Sequence, residues 1–93
     1  MTRLRESDID KDKLRDFFGK KLKEYRIEKV LTVGDVARDS NIEDKYINRI
    51  ERGDRGAGLI TLYKLSKRAN ISIDEVFARI PEDQVLRDLD DSE

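Results

Sequence analysis

The sequence predicts an all-α, compact five-helix unit, and three observations carry that prediction. Apolar residues recur at helical spacing in one segment after another between Lys11 and Ile80. Cap-forming and turn-forming residues punctuate those segments, and no stretch alternates with the two-residue period of a strand. The chain is 93 residues long, 44% of them charged and 37% hydrophobic, with mean hydropathy −0.78. Such a chain buries a modest core in one unit and has no interior for a large ligand cavity.

Residues 1–10, MTRLRESDID, are polar and read as an N-terminal arm. From about Lys11 to Lys29, Leu14, Phe17, Phe18, Leu22 and Tyr25 fall on one helical face, with Lys and Glu opposite. Thr32 can cap the next helix, about Val33 to Asp39, with Asp35 near its positive end and Val36 and Ala37 inward. Gly34 inside it costs about 1 kcal/mol relative to Ala, so tertiary packing must hold this helix. Ser40-Asn41 forms the turn, Asn being tolerant of a left-handed backbone.

A third helix runs from about Asp44 to Arg52, capped by Glu43 or Asp44 and stopped by Gly53. Tyr46, Ile47 and Ile50 face inward, and Asp44, Lys45, Asn48, Arg49 and Arg52 face out. After a glycine-bearing loop, a fourth helix spans about Leu59 to Ala69, with Leu59, Leu62, Leu65 and Ala69 at core spacing. Ser72 to Glu75 has the capping-box pattern for a fifth helix through Val76, Phe77 and Ile80, stopped by Pro81. Phe17, Phe18, Leu62 and Phe77 read as core. Residues 11–80 are the folded domain and residues 81–93 an acidic tail.

Composition excludes several kinds of chemistry. Cysteine and histidine are both absent, which removes disulfides, thiolate nucleophiles, imidazole bases and the usual Cys/His zinc sites. No twelve-residue calcium loop is visible, so neither a metal nor a cofactor is expected, and the protein reads as a non-enzyme. No apolar run approaches the roughly 18 residues of a membrane span, and no signal-peptide segment is seen. A cytoplasmic protein without a membrane partner is the expectation.

The net charge of −1 conceals an asymmetry. The tail carries six acids and one base, which leaves 19 bases and 15 acids in residues 1–80, a net of +4. A basic body with an acidic tail suits a nucleic-acid-binding domain.

Two short helices joined by a tight turn form a helix-turn-helix, whose second helix can lie in the major groove of DNA. A small residue, Ala37, stands where the helices cross. Asn41 follows it in the turn, and Ile47 and Ile50 anchor the second helix from beneath. With these pieces in place, Phe18 to Phe77 resembles the phage Cro/repressor (Xre-type) helix-turn-helix domain, over about two-thirds of the chain. LKEYRIEKVLT, YINRIERGDR and LYKLSKRANISIDEVF carry the resemblance. It implies a lambda-repressor-like five-helix domain binding double-stranded DNA as a homodimer on a palindromic operator, through helix 5 and its Val76/Ile80 edge.

The resemblance assigns base contacts to Arg49, Lys45, Asn48 and Asp44. Arg49 is the first choice for a bidentate contact to a guanine edge. Arg52, Arg55, Thr32 and Tyr46 are candidate phosphate contacts, Tyr46 being mainly a packing residue. Arg26 and Glu51 occupy positions where the family builds a structural ion pair. Val33 stands where the family often has Gln, and Asn41 where it often has Gly. From Glu43 to Arg55, four acids balance four bases, which lowers the expected non-specific affinity.

A sequence-specific transcriptional repressor is therefore the leading expectation. A protein–protein module or antitoxin-type regulator that keeps the fold with weak DNA binding is the alternative. The tail reads as a solvated acidic end. Its Val85, Leu86 and Leu89 could instead form an amphipathic turn that meets a protein partner, and its acids could compete with phosphate for the basic face.

Overall fold

The computed structural model describes residues 6–91, with side chains for residues 13–87, 89 and 90. Its helices are α1 (Glu6–Glu28), α2 (Val33–Ser40), α3 (Asp44–Glu51), α4 (Leu59–Arg68), α5 (Ile73–Ala78) and α6 (Glu82–Asp91). Among the described residues there is no strand. No helix among them is long and apolar enough to cross a membrane.

α1 is the spine. It packs on α3, α5 and α6, while α2 packs on α3 and α4. Phe18, Leu22 and Tyr25 project from α1 into a core completed by Val36, Ile47, Ile50, Leu65, Ile71, Val76, Ile80 and Val85. The 3–4 residue spacing of apolar positions brings them to one stripe per helix, and burial of those stripes stabilises helices too short to persist alone. Gly19 marks a close approach of α1 to the end of α3. A Cβ there would collide with the Ile50 carbonyl oxygen and stand 2.9 Å from that of Glu51.

Local signals account for most boundaries. Thr32 Oγ accepts the Asp35 amide at 3.0 Å, and the Asp35 carboxylate accepts the Thr32 amide at 2.9 Å, a reciprocal capping box. Asn41 ends α2 with φ 59° and ψ 43°. At α5 only the forward bond forms, from the Glu75 amide to Ser72 Oγ at 3.3 Å.

The structure corrects several sequence expectations. α1 begins at Glu6, not near Lys11, so residues 6–10 of the expected arm are helical; residues 1–5 lie outside the described residues. The five expected helices are joined by a sixth, because the acidic tail is helical. Val85 of α6 is 6% exposed and Leu89 half-buried, so apolar spacing outweighs charge over Glu82–Asp91. α6 also changes the predicted dimer edge: Val76 is 0% and Ile80 7% exposed, inside the protomer's own core with Val85. Leu59 is turned to solvent despite its spacing, because α4 starts one turn before its buried stretch. Phe77 is 44% exposed and lies tilted on Phe18, ring centroids 5.5 Å apart.

Candidate nucleic-acid interface

α3 is held from behind. Ile47 and Ile50 are each 1% exposed, and the helix ends as Gly53 takes φ 80°. In that last turn the Arg52 amide donates to the Asn48 carbonyl at 3.0 Å and the Asp54 amide to that of Arg49 at 2.9 Å. A glycine is required there because a side chain would be strained at this φ and would meet Asp16. Glu43 occupies the N-cap without a side-chain hydrogen bond.

One buried charge pair ties α3 to α1. Arg26 Nε donates to Glu51 Oε2 at 2.7 Å and Nη2 to Oε1 at 3.0 Å, a fork-to-fork pair. Its Nη1 donates to the Leu31 carbonyl at 2.8 Å, just before α2. The guanidinium therefore touches α1, α3 and the α1–α2 connection at once. The bonds to Glu51 raise the Arg26 pKa above its ordinary value. These two residues position the helix and are not available to DNA.

The outer face of α3 is open. Lys45, Asn48, Arg49 and Arg52 share one face at i, i+3, i+4 and i+7, and all are exposed, as is Asp44. Among the described residues no ion pair engages Lys45 or Arg49. Arg52 Nε lies 3.2 Å from Asp54 Oδ2, with both side chains largely solvated. That exposed pair is weak and can open toward a phosphate.

Arg55 leaves the loop to stack on the Tyr46 ring, 4.8 Å from its centroid. Thr61 Oγ1 donates to the Tyr46 hydroxyl at 3.5 Å. This bond, then the neighbouring guanidinium, lowers the phenol's pKa. Tyr46 thus joins α3, the loop and α4 while staying half-buried.

Thr32 stands apart at the start of α2. Its amide and Oγ lone pair serve the capping box, leaving the first-turn amides of Val33 and Gly34 and the hydroxyl hydrogen for an anion. Asp35 works against that site. Its carboxyl is held below the usual range, first by the Thr32 amide, and stays charged at neutral pH.

Sequence reasoning missed Gly19, although an isolated glycine inside an amphipathic helix is itself a signal of close approach. It also missed Ser40, which is fully buried and donates to the Val36 carbonyl at 2.6 Å. Among the described residues no cluster of three metal-ligating side chains exists.

Known proteins resemble this chain in fold. A helix-turn-helix family model matches residues 22–76, from the middle of α1 into α5. The chain belongs to the helix-turn-helix family, of the Cro/Xre kind. This is a family of DNA-binding transcription regulators. The restriction-modification controller protein C.AhdI from Aeromonas hydrophila is 32% identical, with 67% of this chain and 94% of that chain covered and a TM-score of 0.61. A structure of the clp gene regulator ClgR from Corynebacterium glutamicum is 24% identical, with a TM-score of 0.65, 71% of this chain covered and 86% of that one. A second ClgR structure is 22% identical, with a TM-score of 0.67, 84% of this chain covered and 83% of that one; the ClgR pair is similar in fold. No curated protein sequence matches the chain.

Proposed function

We propose that this helix-turn-helix protein is a cytoplasmic, sequence-specific transcriptional repressor that binds a palindromic DNA operator as a homodimer. One observation carries the reading. α3 is locked from behind by Ile47, Ile50 and the Arg26–Glu51 pair, while Lys45, Asn48 and Arg49 stand exposed on its opposite face. A rigid helix with donors free on its outer face suits the major groove, where bidentate hydrogen bonds discriminate bases.

Arg49 is assigned a guanine edge, Lys45 a guanine or phosphate and Asn48 an adenine or phosphate, while Asp44 is placed to accept from a cytosine amine. Arg52, Arg55 and the hydroxyls of Thr32 and Tyr46 are assigned to the phosphates. A dimer has two such helices, and a two-fold operator matches them when its half-sites lie about 10 base pairs apart. Repression follows by occlusion of the promoter. The likeness to a controller protein, 94% of whose chain is covered, supports a regulatory role.

Selection of bound fragments from random duplex DNA tests the reading. An inverted repeat is expected. Arg49→Ala relaxes one base position by about 1–3 kcal/mol, whereas Arg52→Ala weakens all sequences alike and lowers the salt slope by about 1. Enrichment of no sequence would overturn it in favour of a protein–protein module, the reading to which the charge-neutral Glu43–Arg55 segment lends itself.

A further inference from the structure

Two exposed patches of opposite charge go unmatched within the protomer. On α4, Leu59, Ile60 and Tyr63 are 83%, 73% and 64% exposed. With Lys64, Lys67 and Arg68 they line one shallow strip of surface. Ile60, Lys64 and Arg68 follow at i, i+4 and i+8, with Tyr63 and Lys67 alongside. Among the described residues no carboxylate pairs with these three bases.

α6 carries the counterpart. Val85 and Leu89 turn inward, which leaves Glu82, Leu86 and Asp90 along an outer face at i, i+4 and i+8, with Asp83 beside them. Leu86 is 48% exposed and shares a groove with exposed Phe77. Among the described residues no base pairs with Glu82, Asp83 or Asp90.

We propose that the α4 strip of one protomer receives α6 of a second copy, each copy giving its α4 to the other's α6 about a two-fold axis. The contact buries Leu59, Ile60 and Tyr63 against Leu86 and Phe77 and sets Lys64, Lys67 and Arg68 opposite Glu82, Asp83 and Asp90. Apolar burial supplies the attraction and the charges supply the register. Two other occupants fit less well. An α4–α4 contact would bring six bases together, and like charges across an interface oppose association. DNA phosphates would meet two aliphatic side chains that offer no donors. The inference deepens the homodimer reading and rests on it, and it identifies a surface in place of the buried Val76/Ile80 edge.

Sedimentation velocity on the full chain without DNA tests it. The chain should dimerise, more weakly as salt rises. Lys64→Glu with Lys67→Glu should weaken the dimer about tenfold or more, and so should Glu82→Lys with Asp90→Lys. An equimolar mixture of the two variants should recover dimerisation, because both contacts of the mixed dimer then pair acid with base. A chain monomeric at about 100 μM, in the concentration range where weak specific dimers form, overturns the proposal. So does either variant associating as tightly as the parent, or a mixture that stays monomeric. Binding to a duplex carrying one half-site is measured alongside. Its loss in a chain that still dimerises overturns the DNA reading and leaves the interface standing.

Discussion

Replacing Arg26 by Ala attacks the joint on which the candidate interface depends. The Arg26 and Glu51 side chains are 11% and 5% exposed, so solvent cannot take over when one partner goes. Arg26→Ala leaves the Glu51 carboxylate buried without its two charge-assisted bonds, and the Leu31 carbonyl loses its donor. Breaking a buried pair in this way costs about 3–5 kcal/mol. A domain of this size has roughly 5–14 kcal/mol in total, so about a fifth of the stability or more is at stake. Urea unfolding followed by circular dichroism measures it, and the midpoint should fall with little change in slope.

The same reasoning makes a sharper demand. Arg26→Met with Glu51→Leu removes both charges and refills the volume, so the double variant should be far closer to wild type than Arg26→Ala. A loss below about 1 kcal/mol for Arg26→Ala, the value of an exposed pair, would refute the claim that this contact holds α3. A double variant as unstable as the single one would refute the assignment of the cost to a stranded charge.

Three further outcomes follow from other contacts. Asp35 has a lowered pKa in the folded chain, so its contribution is present above the unfolded value near 3.9 and is lost as pH falls through the folded one; NMR titration should find its midpoint below 3.9, and Asp35→Asn should flatten the stability–pH curve in that range. Val30 sits at φ 58° and is 87% exposed, so Val30→Gly should raise stability by about 0.5–1 kcal/mol, strain relief exceeding the added chain entropy; a lower melting temperature would count against this. Truncation after Pro81 removes buried Val85 from the core and should cost roughly 2–3 kcal/mol in urea unfolding, whereas an unchanged midpoint would mean that α6 is not docked.

Much of the site was legible because it rests on local rules. A hydroxyl before Val33 and a carboxylate at Asp35 make a capping box in any surroundings, and Asn41 accepts a left-handed turn by its own chemistry. Ile47 and Ile50 three residues apart must share a face, which sends Lys45, Asn48 and Arg49 to the other. These features depend on neighbours within about one helical turn, so order in the chain is enough to read them.

What needed the tertiary structure depends on residues far apart in the chain. Leu59 has core spacing and is solvated, because its place relative to α2 and α5 decides exposure. The tail has the charge of a solvated segment, yet it folds, since α6 packs on α1 and Val85 joins the core. By itself the sequence determined the all-α class, the element boundaries from α2 to α5 to within two residues and the outward set on α3, because these follow from backbone geometry and spacing. Only the tertiary structure decided that α6 docks on α1 and adds Val85 to the core that holds Val76 and Ile80, and that the unmatched apolar surface lies on α4, because burial depends on what other segments leave uncovered.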